Sequence, residues 1–218
     1  MDALIVQHLL NWLVLGSIYT LVALGFSLLF GVLDVIHFSH GDVSMAGAYV
    51  ALAVVQVLTV MVVPFAGPGA LVIAILVAMI LIGLLGVLLD WLVIRRFRNA
   101  PAMMALVATV ALGTVIRELI RSFYPQGSNP KPFPSLTDAA ISLGGVTVPV
   151  FSLIVIGVSF AMVAALFALL NRTPLGVRIR AVAEDRSIAR LMAIRPDTIF
   201  AVTFFIASAV GAVGAIFF

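Results

Sequence analysis

Four stretches of this sequence carry no charged side chain: Ala3–Leu33, Val43–Leu89, Asn99–Ile116 and Ala139–Asn171. A helix crosses the hydrocarbon of a bilayer in about 20 apolar residues. Inside lipid, backbone groups find partners only in helices or in closed barrels. The runs lack the period-two alternation of barrel strands. The expected fold class is therefore all-α, a polytopic transmembrane helical bundle. Composition agrees: the chain is 64% apolar and 10% charged, with a mean hydropathy of +1.29, whereas soluble domains are about half apolar and about a quarter charged. So little polar surface could not cover a soluble core.

The second uncharged stretch is long enough for two crossings, divided at the turn-forming Pro64–Gly69, PFAGPG. Six spans are expected, at roughly 8–30, 43–63, 70–94, 101–122, 148–170 and 197–218, within a single transmembrane domain over 1–218. Asp2 and an apolar run longer than a signal sequence make the first segment a membrane helix, not a cleaved leader. The chain has no cysteine, which excludes disulfides and thiolate metal sites.

Arginines collect at 95, 96 and 98 and again at 172, 178, 180, 186, 190 and 195. Both clusters are expected on the cytoplasmic side, which explains the net charge of +3 without a nucleic-acid partner. An even number of crossings must separate them, so the 101–122 segment traverses the membrane. Arg117 and Arg121 then fall toward the outer side, and counting back puts the amino terminus outside. Tyr124–Pro149 reads as an outer loop with a short hairpin around Ser142–Val148. The last span ends on Phe217 and Phe218 with no polar anchor, so the chain is expected to be a fragment of a longer protein.

Between the first two spans lies VLDVIHFSHGD, Val32–Asp42. An ordinary cytoplasmic turn would need only polar residues and glycine, yet this one also carries Leu33, Val35, Ile36 and Phe38. Polar groups at membrane depth tend to mark a pathway or a binding site. His37 and His40 with Asp34 or Asp42 make an incomplete metal set, since no third strong ligand stands elsewhere and His8 is far off in the first span. No metal is expected, and no nucleophile–base pairing for hydrolysis stands out. The pattern fits a broken helix whose backbone and side chains meet a polar solute. The candidate path or gate residues are Asp34, His37, Phe38, Ser39, His40, Gly41 and Asp42.

Nine charged residues lie between Arg172 and Asp197. Thr173 and Pro174 make a good helix start, a capping side chain followed by proline at the first helical position. Ala181, Val182, Ile188, Leu191 and Met192 recur at helical spacings and are expected on one face, and Pro196 closes the segment. A basic amphipathic helix on anionic lipid and a docking element for a cytoplasmic partner both fit. The acids Glu184 and Asp185 argue mildly against lipid alone.

The only lysine, Lys131, follows Asn129 and Pro130, so no phosphate-binding G-x-x-x-x-G-K-[ST] loop exists. If the protein drives transport, its energy comes from an ion gradient or from a separate ATPase. Ion-coupled carriers usually place acids within spans; here only Asp90 approaches that. A stand-alone ion-coupled carrier for a small polar solute is therefore the weaker alternative.

Two motifs carry a family resemblance. GSIYTLVALGFSLLFGVLDVIHFSHGDVSMAGAYVAL, Gly16–Leu52, resembles the amino-terminal signature of the permease subunits of branched-chain amino-acid ABC importers. It matches at Gly16, Tyr19, Leu21, Ala23 and Gly25, at Phe30, Gly31 and Val32, at Ile36, Phe38, His40, Gly41 and Asp42, and at Met45, Gly47, Ala48 and Tyr49. RTPLGVRIRAVAEDRSIARLMAI, Arg172–Ile194, is similar to the cytoplasmic loop by which such permeases touch their ATPases. His37 stands where the family usually has asparagine, and Ala193 replaces a customary glycine. Family members also run longer.

The resemblance implies a multi-pass protein of the bacterial inner membrane that breaks no bond itself and is not an enzyme. It implies ATPase-docking residues in the 171–196 segment: Arg172, Gly176, Arg180, Ala183, Glu184, Asp185, Ala189, Leu191, Met192 and Ile194. The implied partners are cytoplasmic ABC ATPase subunits, a sister permease, an external solute-binding protein and membrane lipid. No cofactor is expected in this chain, because ATP and Mg would be used by the partner ATPases. Branched-chain amino acids are the family's default solute, although related permeases carry amides, urea and other small polar compounds.

Overall fold

The computed structural model describes residues 2–34, 36–61, 68–98, 100–124, 139–143 and 146–218. Among them, six helices are long and apolar enough to cross a membrane: α1 (Asp2–Leu33), α2 (His40–Met61), α3 (Pro68–Leu89), α5 (Ala102–Phe123), α6 (Val150–Arg172) and α9 (Pro196–Phe217). The chain is thus a multi-pass membrane protein with an all-helical bundle. Most of the turn expected at Pro64–Gly69 and residues 125–138 of the outer loop lie outside the described residues. Next to them, β1 (Ala140–Leu143) pairs antiparallel with β2 (Val146–Pro149), Ala140 opposite Pro149.

The last helix is the centre of the bundle. In α9, 72% of the apolar stretch is buried, against 17% to 33% in the other five. It packs against α1, α2 and α3, and small residues bring the backbones close. A methyl group added at Gly47 would stand 2.6 Å from the Ala212 side chain, and one at Gly86 would stand 2.9 Å from the Phe204 carbonyl. With lipid as apolar as leucine, such close packing is what drives helix association.

Two segments complete the end of the bundle that carries the arginines. After Leu89 the chain widens into a π turn over Asp90–Ile94, then a last turn, α4 (Arg95–Phe97). Arg98 pairs with Asp90 and, at 2.7 Å, with Asp197 at the start of α9; Arg95 reaches Asp197 at 2.9 Å. These pairs bind the end of α3 to the start of the central helix.

The second segment is the arm between α6 and α9. Thr173 accepts from the Gly176 amide at 3.2 Å and Pro174 opens α7 (Pro174–Glu184). The arm is not one amphipathic helix. Asp185 leaves helical geometry at φ −154° and caps a new helix, α8 (Arg186–Leu191), accepting from the amides of Ser187 at 2.6 Å and Ile188 at 2.9 Å. The single apolar face expected from spacing therefore splits. Val182 is buried with Ile179, Ala189, Ile199 and Phe200, whereas Ile188, Leu191 and Met192 face outward.

Candidate functional site

Helix α1 ends in a left-handed turn: Asp34 has φ 56° and its amide donates to the Phe30 carbonyl at 2.9 Å. Aspartate tolerates that conformation better than most residues, which makes it a fair substitute for a capping glycine. Val35 lies outside the described residues. Helix α2 does not start level with the end of α1. The His40 imidazole lies over Gly25, whose added Cβ would come 2.7 Å from Nε2. Gly25 precedes Leu33 by eight residues, about 12 Å along a helix. The chain leaves one end of α1 and climbs back between the helices before α2 begins, so its irregular backbone lies within the bundle.

That backbone is largely satisfied, as burial away from water requires. The Phe38 amide donates to Thr109 Oγ1 of α5 at 3.3 Å. The His40 amide donates to the His37 carbonyl at 3.2 Å, and Val43 to the Ser39 carbonyl at 2.9 Å.

The seven candidate residues separate onto two sides. His37, Ser39 and His40 are buried, with exposures of 3%, 0% and 1%. His37 packs edge-on against Phe204, ring centroids 5.3 Å apart, and its Nε2 is 3.0 Å from the Ser39 hydroxyl. His40 sits in a socket formed by Gly25 and Gly211. Its ring meets the backbone at Val22, but neither nitrogen completes a well-formed hydrogen bond. Asp34, Phe38 and Gly41 are exposed and Asp42 half-exposed, with Ile36 on the same open side. Among the described residues no group of three His, Asp or Glu is placed to hold a metal.

On the open side Asp42 meets Arg117 of α5. Nε and Nη2 of Arg117 donate to the carboxylate at 3.0 to 3.2 Å, with the arginine side chain 60% exposed and the aspartate 16%. Gly113, one turn before Arg117, leaves the space that the Asp42 carboxylate occupies. The sequence placed Arg117 toward the outer side and gave no sign of this pair, because nothing in the spacing of α2 and α5 sets their register.

The arm's candidate residues divide in the same way. Arg172, Arg180, Ala183, Glu184, Asp185, Leu191 and Met192 are exposed, Ile194 is intermediate, and Gly176 and Ala189 are buried. Gly176 is pressed on the Leu169 and Leu170 carbonyls at the end of α6, where no Cβ would fit. Arg180 reaches back to the Leu170 carbonyl and, at 3.4 Å, to Asn171. Gly176, Arg180 and Asp185 thus make contacts that shape the arm itself. One outward apolar residue escaped the sequence reading, Val177 (56% exposed), and Ile188 (59%), expected on the apolar face, stands beside the docking candidates. Arg98 and Arg186, read from the sequence only as members of the cytoplasmic clusters, turn inward. Both guanidinium groups lie near the Phe200 ring, at 4.1 Å for Arg98 and 5.2 Å for Arg186.

A family model described as "Branched-chain amino acid transport system / permease component" matches residues 8–218. The curated relatives include the high-affinity branched-chain amino acid transport system permease protein BraD of Pseudomonas aeruginosa, 27% identical over 215 residues. They also include the permease proteins LivH of Escherichia coli K12 and of Salmonella typhimurium, 27% identical over 217 and 222 residues. Each alignment covers 96% of this chain and 69% of the relative. No solved structure matches this chain.

Proposed function

This chain belongs to the family of branched-chain amino-acid transport system permeases, and from that premise we propose that it is the membrane-spanning subunit of an ATP-driven importer of branched-chain amino acids in a bacterial inner membrane. The energy comes from separate ATPase subunits, which use ATP and Mg. An external binding protein delivers the solute, and a sister permease completes the path.

The observation that carries this reading is the outward apolar crest of the arm. Val177, Ile188, Leu191 and Met192 are 56%, 59%, 86% and 72% exposed, on a segment whose remaining surface is strongly charged. That combination suits the groove of a protein partner. It suits a lipid surface less well, because Glu184 and Asp185 are exposed beside it. Ion coupling finds less support: Asp42, Asp90 and Glu118, the acids within the middle spans, each have an arginine within ion-pair distance.

The solute path is assigned to the open side of the break, along Phe38, Gly41 and Asp42. There the Asp42–Arg117 pair offers a zwitterion one charge of each sign. The buried His37, Ser39 and His40 act as the fixed wall behind it.

Leu191→Asp combined with Met192→Asp tests the docking assignment. Co-expressed ATPase subunits should co-purify with the unaltered chain and fall at least tenfold with the double variant, while both chains reach the membrane equally. Undiminished co-purification would remove the crest from the docking surface.

A further inference from the structure

Resting on the docking assignment above, we propose that Arg186 is a positioning residue that ties the ATPase-facing arm to the break between α1 and α2. Arg186 opens α8 immediately after the capping Asp185. Its side chain turns away from the neighbouring acids and into the bundle. Nη2 donates to the carbonyl of Leu33 at 2.6 Å, across 153 residues of sequence. Leu33 is the last residue of α1, and its carbonyl is one of the final four that a helix leaves without an internal partner. A cation at that end also complements the helix dipole.

Three further features make this more than a cap. The Arg186 guanidinium lies 5.2 Å from the centre of the Phe200 ring, against which Arg98 also packs. Arg98 is compensated by Asp90 and Asp197; among the described residues Arg186 has no carboxylate partner, so its directional contact is the α1 carbonyl. Last, Arg186 lines a small cavity of about 20 Å³ together with Leu33, His37, Arg98 and Thr109. His37 and Thr109 are the residues that anchor the break from inside.

One side chain therefore touches the arm's hinge, the last carbonyl of α1, a ring of the central helix and the cavity behind the break. Arg180 reaches only back to the end of α6, the helix that leads into the arm; toward α1 and α9 the arm otherwise packs through the apolar Ile179, Val182 and Ala189. Such packing can slide, whereas a hydrogen bond at 2.6 Å to a named carbonyl moves with its donor or breaks. When ATP closes the ATPases against the arm, Arg186 carries that displacement to the point where α1 gives way to the break.

The chain has no cysteine, so introduced cysteines can be labelled selectively. Spin labels at Ile36 and Val107, both exposed, report the distance from the break to α5 in the full complex with its ATPases. The expected result is a distance change on adding ATP in the unaltered complex, reduced at least twofold in Arg186→Leu. Arg186→Lys, which keeps the charge and loses the planar fork, should fall between them. Phe200→Leu, which removes the shared ring, should weaken the response without abolishing it. ATPase co-purification should stay normal in all three.

An unchanged response in Arg186→Leu overturns the proposal, as does a response lost only because the ATPases no longer bind. So does an unaltered complex in which ATP moves nothing at the break. Failure of the docking assignment reads out separately, as undiminished co-purification in the Leu191→Asp, Met192→Asp chain.

Discussion

The break and the arm both mix apolar with polar side chains, and they bury opposite kinds. In the break the imidazoles and a hydroxyl go inside: His37, Ser39 and His40 are covered while Ile36 and Phe38 stand in the open beside Asp34 and Asp42. In the arm the covered residues are Ile179, Val182 and Ala189, and the open ones include both charges and the apolar crest. The arm follows the rule of water-facing structure, burying oil against the helix ends and adding an apolar surplus where a partner would sit. The inner wall of the break follows the rule of membrane-embedded structure, in which the inside of the bundle is the less apolar side. A polar residue in this protein is informative only once its solvent is known.

If the inner side of the break is a rigid joint, small residues around His40 should be intolerant of enlargement. Gly25→Ala is expected to have the largest effect. Its new methyl group would stand 2.7 Å from both the Ala207 carbonyl and His40 Nε2, and backbone in the central helix cannot yield as a flexible side chain would. A loss of about 3 kcal/mol is expected from overpacking of this kind. Gly31→Ala, in the same helix but with nothing near its added Cβ, should instead stabilise by up to about 1 kcal/mol through helix propensity. Thermal unfolding in detergent measures both. Equal effects at the two positions would mean that His40 is loosely held, and the contrast between inner and outer sides would fail.

The outer side makes the converse prediction: function suffers before stability. Asp42→Asn should lower leucine uptake by about tenfold, the factor that 1.4 kcal/mol sets in a rate. Unfolding should shift by only about 1 kcal/mol or less, because Arg117 is 60% exposed and such pairs are weak. The reversal Asp42→Arg with Arg117→Asp should restore part of the uptake if the pair acts as a pair. Full activity in Asp42→Asn would reduce this face to a scaffold.

The spans were legible because a bilayer makes the absence of charge decisive, and the break was legible because Asp34–Asp42 interrupts that absence. The sides were not. Ile36, His37, Phe38 and Ser39 alternate open and buried, the period of extended chain, and the same alternation of apolar with polar is present in the sequence. The alternation is masked in the sequence by Asp34, His40, Gly41 and Asp42, which extend the polar cluster on either side of it. The arm failed for a related reason. Asp185 is both a surface acid and, standing before Arg-Ser-Ile, a helix cap, and one cap in mid-arm turns a single face into two. Arg117 with Asp42 and Arg186 with Leu33 left no trace, because helix register and the path of a loop back to the bundle are products of packing.

The smallest expected effect lies at the arm's exit. Ala193 has φ 58°, a left-handed conformation that costs an alanine roughly 1 kcal/mol and a glycine almost nothing. Its amide still donates to the Arg190 carbonyl at 3.1 Å, and the next amide donates to the Ala189 carbonyl at 3.0 Å, so the turn is held in place against that strain. Ala193→Gly removes the strain and also loosens the unfolded chain, which offsets part of the gain. The net expectation is a stabilisation of about 0.5 kcal/mol with ATPase co-purification unchanged. A destabilised variant would show that the methyl group packs in the docked complex. The arm's exit would then belong to its partner surface, and the division between a water-ruled arm and a lipid-ruled break would have to be drawn closer to Pro196.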